Sequence, residues 1–189
     1  MLQSDIVRLC APTLAGIKSA GLFSCRFDNK NETISEFRDV NVILNPKGVF
    51  AMPLMWDDNR VLVYIFRRSS LSADLSKDSI RHILDGLGYS ADCENCTKNM
   101  TKCLSGLCRR FAQSAGFPHE IGLFLGYPEE DVIGFIKNHG ENYKALGMWK
   151  VYGNADETLK LFDKYKKCSE IYQKIYEQGA SLEKMTVAA

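Results

Sequence analysis

Residues 49–68 read VFAMPLMWDDNRVLVYIFRR, and this stretch decides the fold. Two apolar runs flank the polar turn DDNR, and the second run is β-branched and aromatic, which is the pattern of a β-hairpin. Pro53 lacks the amide donor that a central strand needs, so the first run is predicted to lie at a sheet edge or to carry a bulge. Because both runs are apolar at most positions, we expect both faces of the sheet to be buried.

The segments around the hairpin have mainly helical patterns, with helices predicted over residues 4–9, 12–20, 32–44, 78–87, 93–114 and 128–138. Alternation in FSCRF, residues 23–27, predicts a further strand, and Met148–Tyr152 predicts the last one. Apolar residues at helical spacing predict a long amphipathic helix from Asn154 to Gln178. We therefore expect one α+β domain over residues 1–189, in which a small, mainly antiparallel sheet with a β-hairpin packs against several helices, including a long C-terminal helix.

Composition narrows the class of protein. The chain has 189 residues, of which 46% are hydrophobic and 25% charged, and its formal net charge is +1. These values are typical of a globular protein and exclude a disordered or low-complexity chain. A net charge of +1 is not the excess of lysine and arginine that is typical of a nucleic-acid-binding domain. No signal peptide and no run of ~20 apolar residues is present, so we expect a cytoplasmic protein without a membrane partner. The seven cysteines, an odd number, are then expected to be reduced thiols.

Four cysteines lie close together in the sequence: Cys93, Cys96, Cys103 and Cys108. A zinc or iron–sulfur site is one interpretation. On a continuous helix, however, Cys93 and Cys108 would lie about 22 Å apart, at ~1.5 Å per residue. One straight helix therefore offers at most two neighbouring thiolates to a metal. Cys93 and Cys96 stay weak metal candidates, and the alternative is that the four thiols fill the core face of a helix.

Three other cysteines are candidates for chemistry. Cys10 lies two residues before Pro12, close to the start of a predicted helix, where the helix dipole would stabilise a thiolate. Cys25 shares the core side of its strand with Phe23 and Phe27, and Cys168 lies on the apolar stripe of the last helix. For each of the three, the alternative is a buried thiol that only fills space.

The dipeptide His119-Glu120 directly precedes the apolar segment IGLFLGYP. An adjacent imidazole and carboxylate are able to bind a metal or to transfer protons. The zinc-protease motif HExxH is not present, because Leu123 stands where the second histidine is needed. Structural packing is again the alternative.

Three blocks together resemble an uncharacterised bacterial family, domain of unknown function 3793: LCAPTLAGIKSAGLFSCRF, FPHEIGLFLGYPEEDVIGFI, and WKVYG with the later LFDKYKKC and IY. The resemblance runs from about Leu9 almost to the C-terminus. The resemblance implies an intracellular protein of anaerobic bacteria. It also implies an association with flavodoxin-like and iron-uptake functions, but it assigns no reaction. The positions that it marks are Cys10, Pro12, Thr13, Cys25, His119, Glu120, Gly122, Gly126, Tyr127, Pro128, Trp149, Lys150, Tyr152, Gly153 and Cys168.

The chain departs from the family pattern in two places. The cysteine run at 93–108 is not part of that pattern. Relatives often carry cysteine before the WKVY block, where this chain has Tyr143-Lys144-Ala145-Leu146. Any ligand that those cysteines bind in relatives would be held differently here.

Three functions are consistent with these residues. The first is a redox or iron-linked accessory protein, in which Cys10, Cys25, His119, Glu120 and Cys168 converge on iron, zinc or haem; a flavodoxin-like or other redox protein would be its partner. The second is a non-enzymatic adaptor that binds a protein through an exposed aromatic side chain such as Trp56 or Trp149. The third is a thiol enzyme with Cys10 as nucleophile and His119 as base. The sequence decides neither whether the protein is an enzyme nor its oligomeric state.

Overall fold

The computed structural model describes residues 2–89, 96–113 and 116–189, with the backbone alone at residues 96–99. The chain has the predicted α+β fold. The helices of the described residues are α1 (Leu2–Leu14), α2 (Lys30–Leu44), α3 (Arg68–Leu75), α4 (Asp78–Gly86), α5 (Cys96–Gln113), α6 (Ile121–Phe124), α7 (Glu129–Lys137), α8 (Ala155–Glu177) and α9 (Leu182–Met185). The strands are β1 (Ala20–Arg26), β2 (Val49–Trp56), β3 (Arg60–Arg67), β4 (Ala145–Leu146) and β5 (Lys150–Val151).

The predicted hairpin forms the larger sheet. β2 and β3 are antiparallel, and β1 pairs with the other side of β3, so that the strand order is β1-β3-β2. β2 therefore lies at the edge, and its register shifts between Pro53 and Met55. The prediction that this run lies at an edge or carries a bulge is confirmed. An edge position and a local irregularity are the two places where a residue without an N–H donor does not break a ladder.

Both faces of this sheet contribute buried side chains, as predicted. On one face, Val61, Val63 and Ile65 of β3 join the core formed with side chains of α1, α2 and α9. On the other face, the rings of Tyr64 and Phe66 are stacked with centroids 5.2 Å apart, and both side chains are buried. The period of two along β3 thus explains why the strand is apolar at nearly every position.

The N-terminal helices join across a kink. We predicted two short helices separated near Pro12, whereas α1 runs from Leu2 to Leu14 with non-helical angles at Cys10 (φ −123°, ψ 19°). Pro12 has no N–H for the carbonyl of Arg8, and its ring crowds that carbonyl, so the helix breaks between the two, at Cys10. Cys10 is therefore held at a kink rather than at a free helix N-terminus.

The chain divides into two compact units. The first, Met1–Leu71 with Cys168–Ala189, contains the three-stranded sheet and is called the sheet unit. The second, Ser72–Lys167, is called the central unit. The single domain predicted over residues 1–189 stays a prediction, because the compactness of each unit does not test whether the two fold independently.

The central unit is largely helical, with one short hairpin. α4, α7 and α8 lie close to their predicted positions, and Pro128 stands at the N-cap of α7. The strand predicted over Met148–Tyr152 is shorter, at Lys150–Val151, and pairs with β4, which we did not predict. The helix predicted from Cys93 is described from Cys96 to Gln113, and Cys93 lies outside the described residues.

Candidate functional site

A cavity of about 420 Å³ lies in the central unit and opens to solvent. Segments on either side of α6, one face of α7 and the β4–β5 hairpin all contribute to it. Its lining is mostly aromatic and aliphatic: Phe117, His119, Ile121, Gly122, Tyr127, Asp131, Val132, Phe135, Leu146, Gly147, Met148, Trp149 and Lys150. A volume of this size falls within the ~300–1,000 Å³ typical of small-molecule pockets. This cavity is therefore the candidate functional site.

A tight turn after α6 places Tyr127 in the wall. Tyr127 N–H donates to the carbonyl of Gly122, and Gly126 N–H donates to the carbonyl of Leu123. These two bonds form a Schellman motif, which needs a left-handed residue, and Gly126 supplies it at φ +70°. Burial raises the pKa of the Tyr127 hydroxyl to about 12, so this wall is uncharged at neutral pH.

Trp149 is the centre of the aromatic wall. Its indole stacks on Tyr127 with ring centroids 4.1 Å apart, and it meets Phe162 edge-on at 4.4 Å. Gly147 allows this approach, because a Cβ atom at that position would overlap the Phe162 ring. Three aromatic side chains from distant parts of the unit thus hold one another in fixed orientations.

Asp131 holds the aromatic wall in position through hydrogen bonds. This carboxylate, only 2% exposed, accepts hydrogen bonds from Trp149 Nε1 at 2.7 Å, from Tyr152 N–H at 2.7 Å and from Gly153 N–H at 2.8 Å. A buried charge is stable only when its hydrogen-bonding capacity is used, and three donors meet that need. Asp131 therefore ties α7 to the segment that follows the short hairpin, and it orients the Trp149 ring.

His119 lies at the rim. Its ring contacts Phe135 with centroids 4.9 Å apart, and the side chain is exposed. Within the described parts of the chain its imidazole makes no hydrogen bond. Its two ring nitrogens are therefore available to a ligand.

Lys150 supplies the positive charge of the lining. Its ammonium group donates to the carbonyl of Gly140 at 2.7 Å and lies 4.9 Å from the ring centroid of Tyr143 and 5.9 Å from that of Phe135. An ammonium group has three N–H donors, so two remain for a ligand.

Glu120 faces a different environment from its neighbour His119. It is 3% exposed, accepts a hydrogen bond from the Tyr89 hydroxyl at 2.9 Å and forms an ion pair with Arg110. Burial, together with the adjacent Glu120 carboxylate, raises the pKa of Tyr89. Glu120 does not line the cavity, so in this structure it is a buried structural anion rather than a partner of His119.

The thiol candidates lie in the sheet unit. Cys10 is 1% exposed, and burial raises the pKa of its thiol to about 12. Cys25 is half-buried against the sheet core, and burial raises its pKa as well. Cys168 is half-buried in the last part of α8. Thiols with raised pKa values are poor nucleophiles and poor metal ligands at neutral pH, so the environment of Cys10 disfavours a thiol enzyme.

The described cysteines of α5 fit the alternative of core filling. Cys103 is buried in line with Met100, Leu104 and Leu107, and Cys108 is half-buried with a pKa raised by burial. Cys93 lies outside the described residues, and the side chain of Cys96 is not described. Among the residues that the structure describes, no three His, Cys, Asp or Glu side chains lie close enough together to hold a metal ion.

The sequence predicted His119 and Trp149 as site residues, and both line the cavity. The resemblance also marked Gly122, Tyr127 and Lys150, which line it as well. Of the five side chains expected to converge, only His119 lines the cavity; Glu120 and the described cysteines do not. Asp131, Phe135 and Met148, which also line the cavity, were not predicted from the sequence. The spacing of Asp131 and Phe135, four residues apart on one face of a helix, is the signal that could have indicated a shared surface.

Comparison with known proteins now places the chain in a family. The model of the family "Protein of unknown function (DUF3793)" matches residues 6–186, which is nearly the whole chain. The protein therefore belongs to this family, as the resemblance predicted. No curated protein and no solved structure matches it significantly. No helix in the described ranges is both long and apolar enough to cross a membrane.

Proposed function

We propose that the protein is a non-enzymatic binding protein, and that its central unit holds a flat, largely apolar small molecule in the cavity between α6, α7 and the short hairpin. The observation that carries this proposal is the lining of the cavity. Five rings, from Phe117, His119, Tyr127, Phe135 and Trp149, surround one space of about 420 Å³. Aromatic walls with few polar groups are typical of sites that take planar organic ligands.

Preorganisation supports the same proposal. Asp131 fixes Trp149 with a 2.7 Å hydrogen bond, and the stacked Tyr127 ring fixes it from the side. A wall that is already ordered loses little conformational entropy when a ligand binds, which favours affinity. The blocks that carry the family resemblance, around His119 and around Trp149, meet at this cavity.

The chemistry of the lining favours binding over catalysis. Its carboxylate, Asp131, is committed to three donors, and its tyrosine is held neutral by burial. We propose that this binding serves an accessory role in redox or iron chemistry. A flavodoxin-like or other redox protein is the partner that we predict.

A neutral fluorescent probe, N-phenyl-1-naphthylamine, tests the proposal. It is aromatic and apolar, and its emission rises in an apolar site. We expect saturable binding of one probe per chain. The chain has two tryptophans, so a Trp56→Phe variant keeps Trp149 alone, and the probe should quench its fluorescence. Absence of saturable binding by a protein that still unfolds cooperatively would contradict the proposal.

A matched pair of leucine variants locates the probe. Leu146 lines the cavity and is 62% exposed, whereas Leu159 is 42% exposed and does not line it. Leu146→Ala removes apolar contact with the ligand, so we expect affinity to fall about threefold to tenfold, equivalent to roughly 1 kcal/mol. Leu159→Ala should leave affinity unchanged. Equal effects of the two substitutions would place the probe elsewhere.

A further inference from the structure

The cavity combines an aromatic wall with one accessible imidazole, and we propose that it binds an iron porphyrin with His119 as the ligand of the iron. This inference rests on the proposed function and names its ligand class. It concerns binding alone and requires no group transfer.

The shape of the site suits a large flat ring. Tyr127, Phe135 and Trp149 contribute aromatic surface to the lining, against which a planar apolar molecule would pack. At the mouth, Phe117, Leu146 and Met148 leave more than half of their surface exposed, which is unusual for large apolar side chains that stand close together. A macrocycle that extends out of the half-open cavity would cover these three side chains, whereas a molecule confined to the cavity would leave them in water.

The polar groups of the lining match the two polar features of haem. His119 has no hydrogen bond from the described residues and rests on Phe135, so its ring is oriented while its nitrogens stay free. Neutral imidazole is the usual protein ligand of haem iron. Lys150, with two unused donors, suits the carboxylates at one edge of a natural porphyrin.

Met148 also lines the cavity. Its side chain ends in a thioether, and methionine thioether sulfur is a haem ligand in cytochromes c. The proposal does not depend on it. A six-coordinate low-spin spectrum that is lost in Met148→Leu would add Met148 as the second ligand, and the unchanged spectrum would leave His119 as the protein ligand.

The three histidines of the chain provide matched controls. All three belong to the central unit and all are exposed, but only His119 lines the cavity. His82→Ala is a simple control. His139 has φ +50°, a left-handed conformation that asparagine adopts more readily than alanine, so the second control is His139→Asn.

Absorption titration with ferric haem tests the inference in the full-length protein. We expect one haem per chain, with a Soret band displaced from that of free haem. His119→Ala should weaken binding at least tenfold and change the spectrum, and added imidazole should restore it. His82→Ala and His139→Asn should behave as the wild type. Wild-type affinity and spectrum in His119→Ala, or no saturable haem binding, would overturn the inference.

Metal-free protoporphyrin separates this inference from the proposed function. It has the same ring and carboxylates but no iron, so His119→Ala should lower its affinity much less than it lowers that of haem, whereas Leu146→Ala should lower both. If N-phenyl-1-naphthylamine and protoporphyrin bind in the cavity while His119→Ala leaves haem binding unchanged, the iron ligand is wrong and the binding function stands. If none of the three probes binds at the cavity, both proposals fail.

Discussion

Cys10 and His119 are both chemically versatile side chains within blocks that resemble the family, yet their surroundings differ in kind. Cys10 lies at a helix kink with 1% of its surface exposed, and burial raises the pKa of its thiol to about 12. His119 lies at the rim of an aromatic cavity with its imidazole exposed. Residue type alone makes both side chains candidates for a functional site, but only the exposed side chain can be reached by a ligand. We therefore propose that the central unit binds the ligand and that the thiols of the sheet unit serve packing.

Asp131→Ala should cause the greatest loss of stability among the variants that we propose. The substitution leaves the indole N–H of Trp149 and the N–H groups of Tyr152 and Gly153 without their acceptor. We expect a loss of roughly 3 kcal/mol in the free energy of unfolding, since unsatisfied buried donors cost about 1–3 kcal/mol each and some will recover water. Urea unfolding measures it, with the exposed Glu141→Ala as control. A loss no larger than that of the control would show that Asp131 does not hold the wall.

Cys10→Ser should cause the next largest loss of stability. The substitution replaces a small apolar thiol with a hydroxyl that must be buried without a hydrogen-bond partner of its own. We therefore expect a loss of about 2 kcal/mol in the free energy of unfolding. Cys25→Ser, at a half-buried position, should lose less. Neither variant should alter probe or haem binding. A Cys10→Ser protein of normal stability that no longer binds ligand would reverse our assignment of the two regions.

Alkaline pH gives a smaller effect with a defined sign. Burial raises the pKa of the Cys10 thiol from its ordinary value of 9.0 to about 12. Its contribution to stability is therefore complete below pH 9 and is lost as the pH rises towards 12, because the unfolded chain releases the proton first. The urea midpoint should fall as the pH rises above 9, and should fall less in Cys10→Ala. Equal declines in the two proteins would mean that Cys10 is not buried as described.

The smallest effect is predicted for Lys150→Gln, which removes a charge but keeps a donor. Binding of the neutral naphthylamine probe should not change, whereas protoporphyrin affinity should fall about threefold, because an exposed ion pair is worth roughly 0.2–1 kcal/mol. Isothermal titration at low salt measures the difference. An identical response to both probes would show that Lys150 does not contact the carboxylates.

The sequence predicted local features far better than contacts between distant residues. The hairpin was predictable because Pro53, the DDNR turn and the β-branched run of β3 are all local signals that point the same way. α3 was missed because its sequence RSSLSADL has little apolar periodicity, and β4 because two residues leave no pattern. In each case the decisive information lies in what the segment contacts.

The site shows the same limit more sharply. Asp131 looked like an acidic residue in the first turn of a helix, where the dipole favours a negative charge. Its role depends instead on Trp149, 18 positions away along the chain. Sequence spacing does not report contacts of that separation, so His119 and Trp149 were predicted singly while the cavity that joins them was not.

The two tryptophans provide the most direct test of the central claim, because each reports on one region. Trp56 lies in the sheet unit, edge-on to Phe27 at 5.1 Å, and Trp149 lies in the cavity wall. In a ¹H–¹⁵N correlation spectrum the two indole N–H signals are resolved from the backbone. Titration with metal-free protoporphyrin should shift or broaden the Trp149 signal in proportion to occupancy and leave the Trp56 signal in place. A shift of Trp56 alone, or no shift of Trp149 at saturation, would contradict the account.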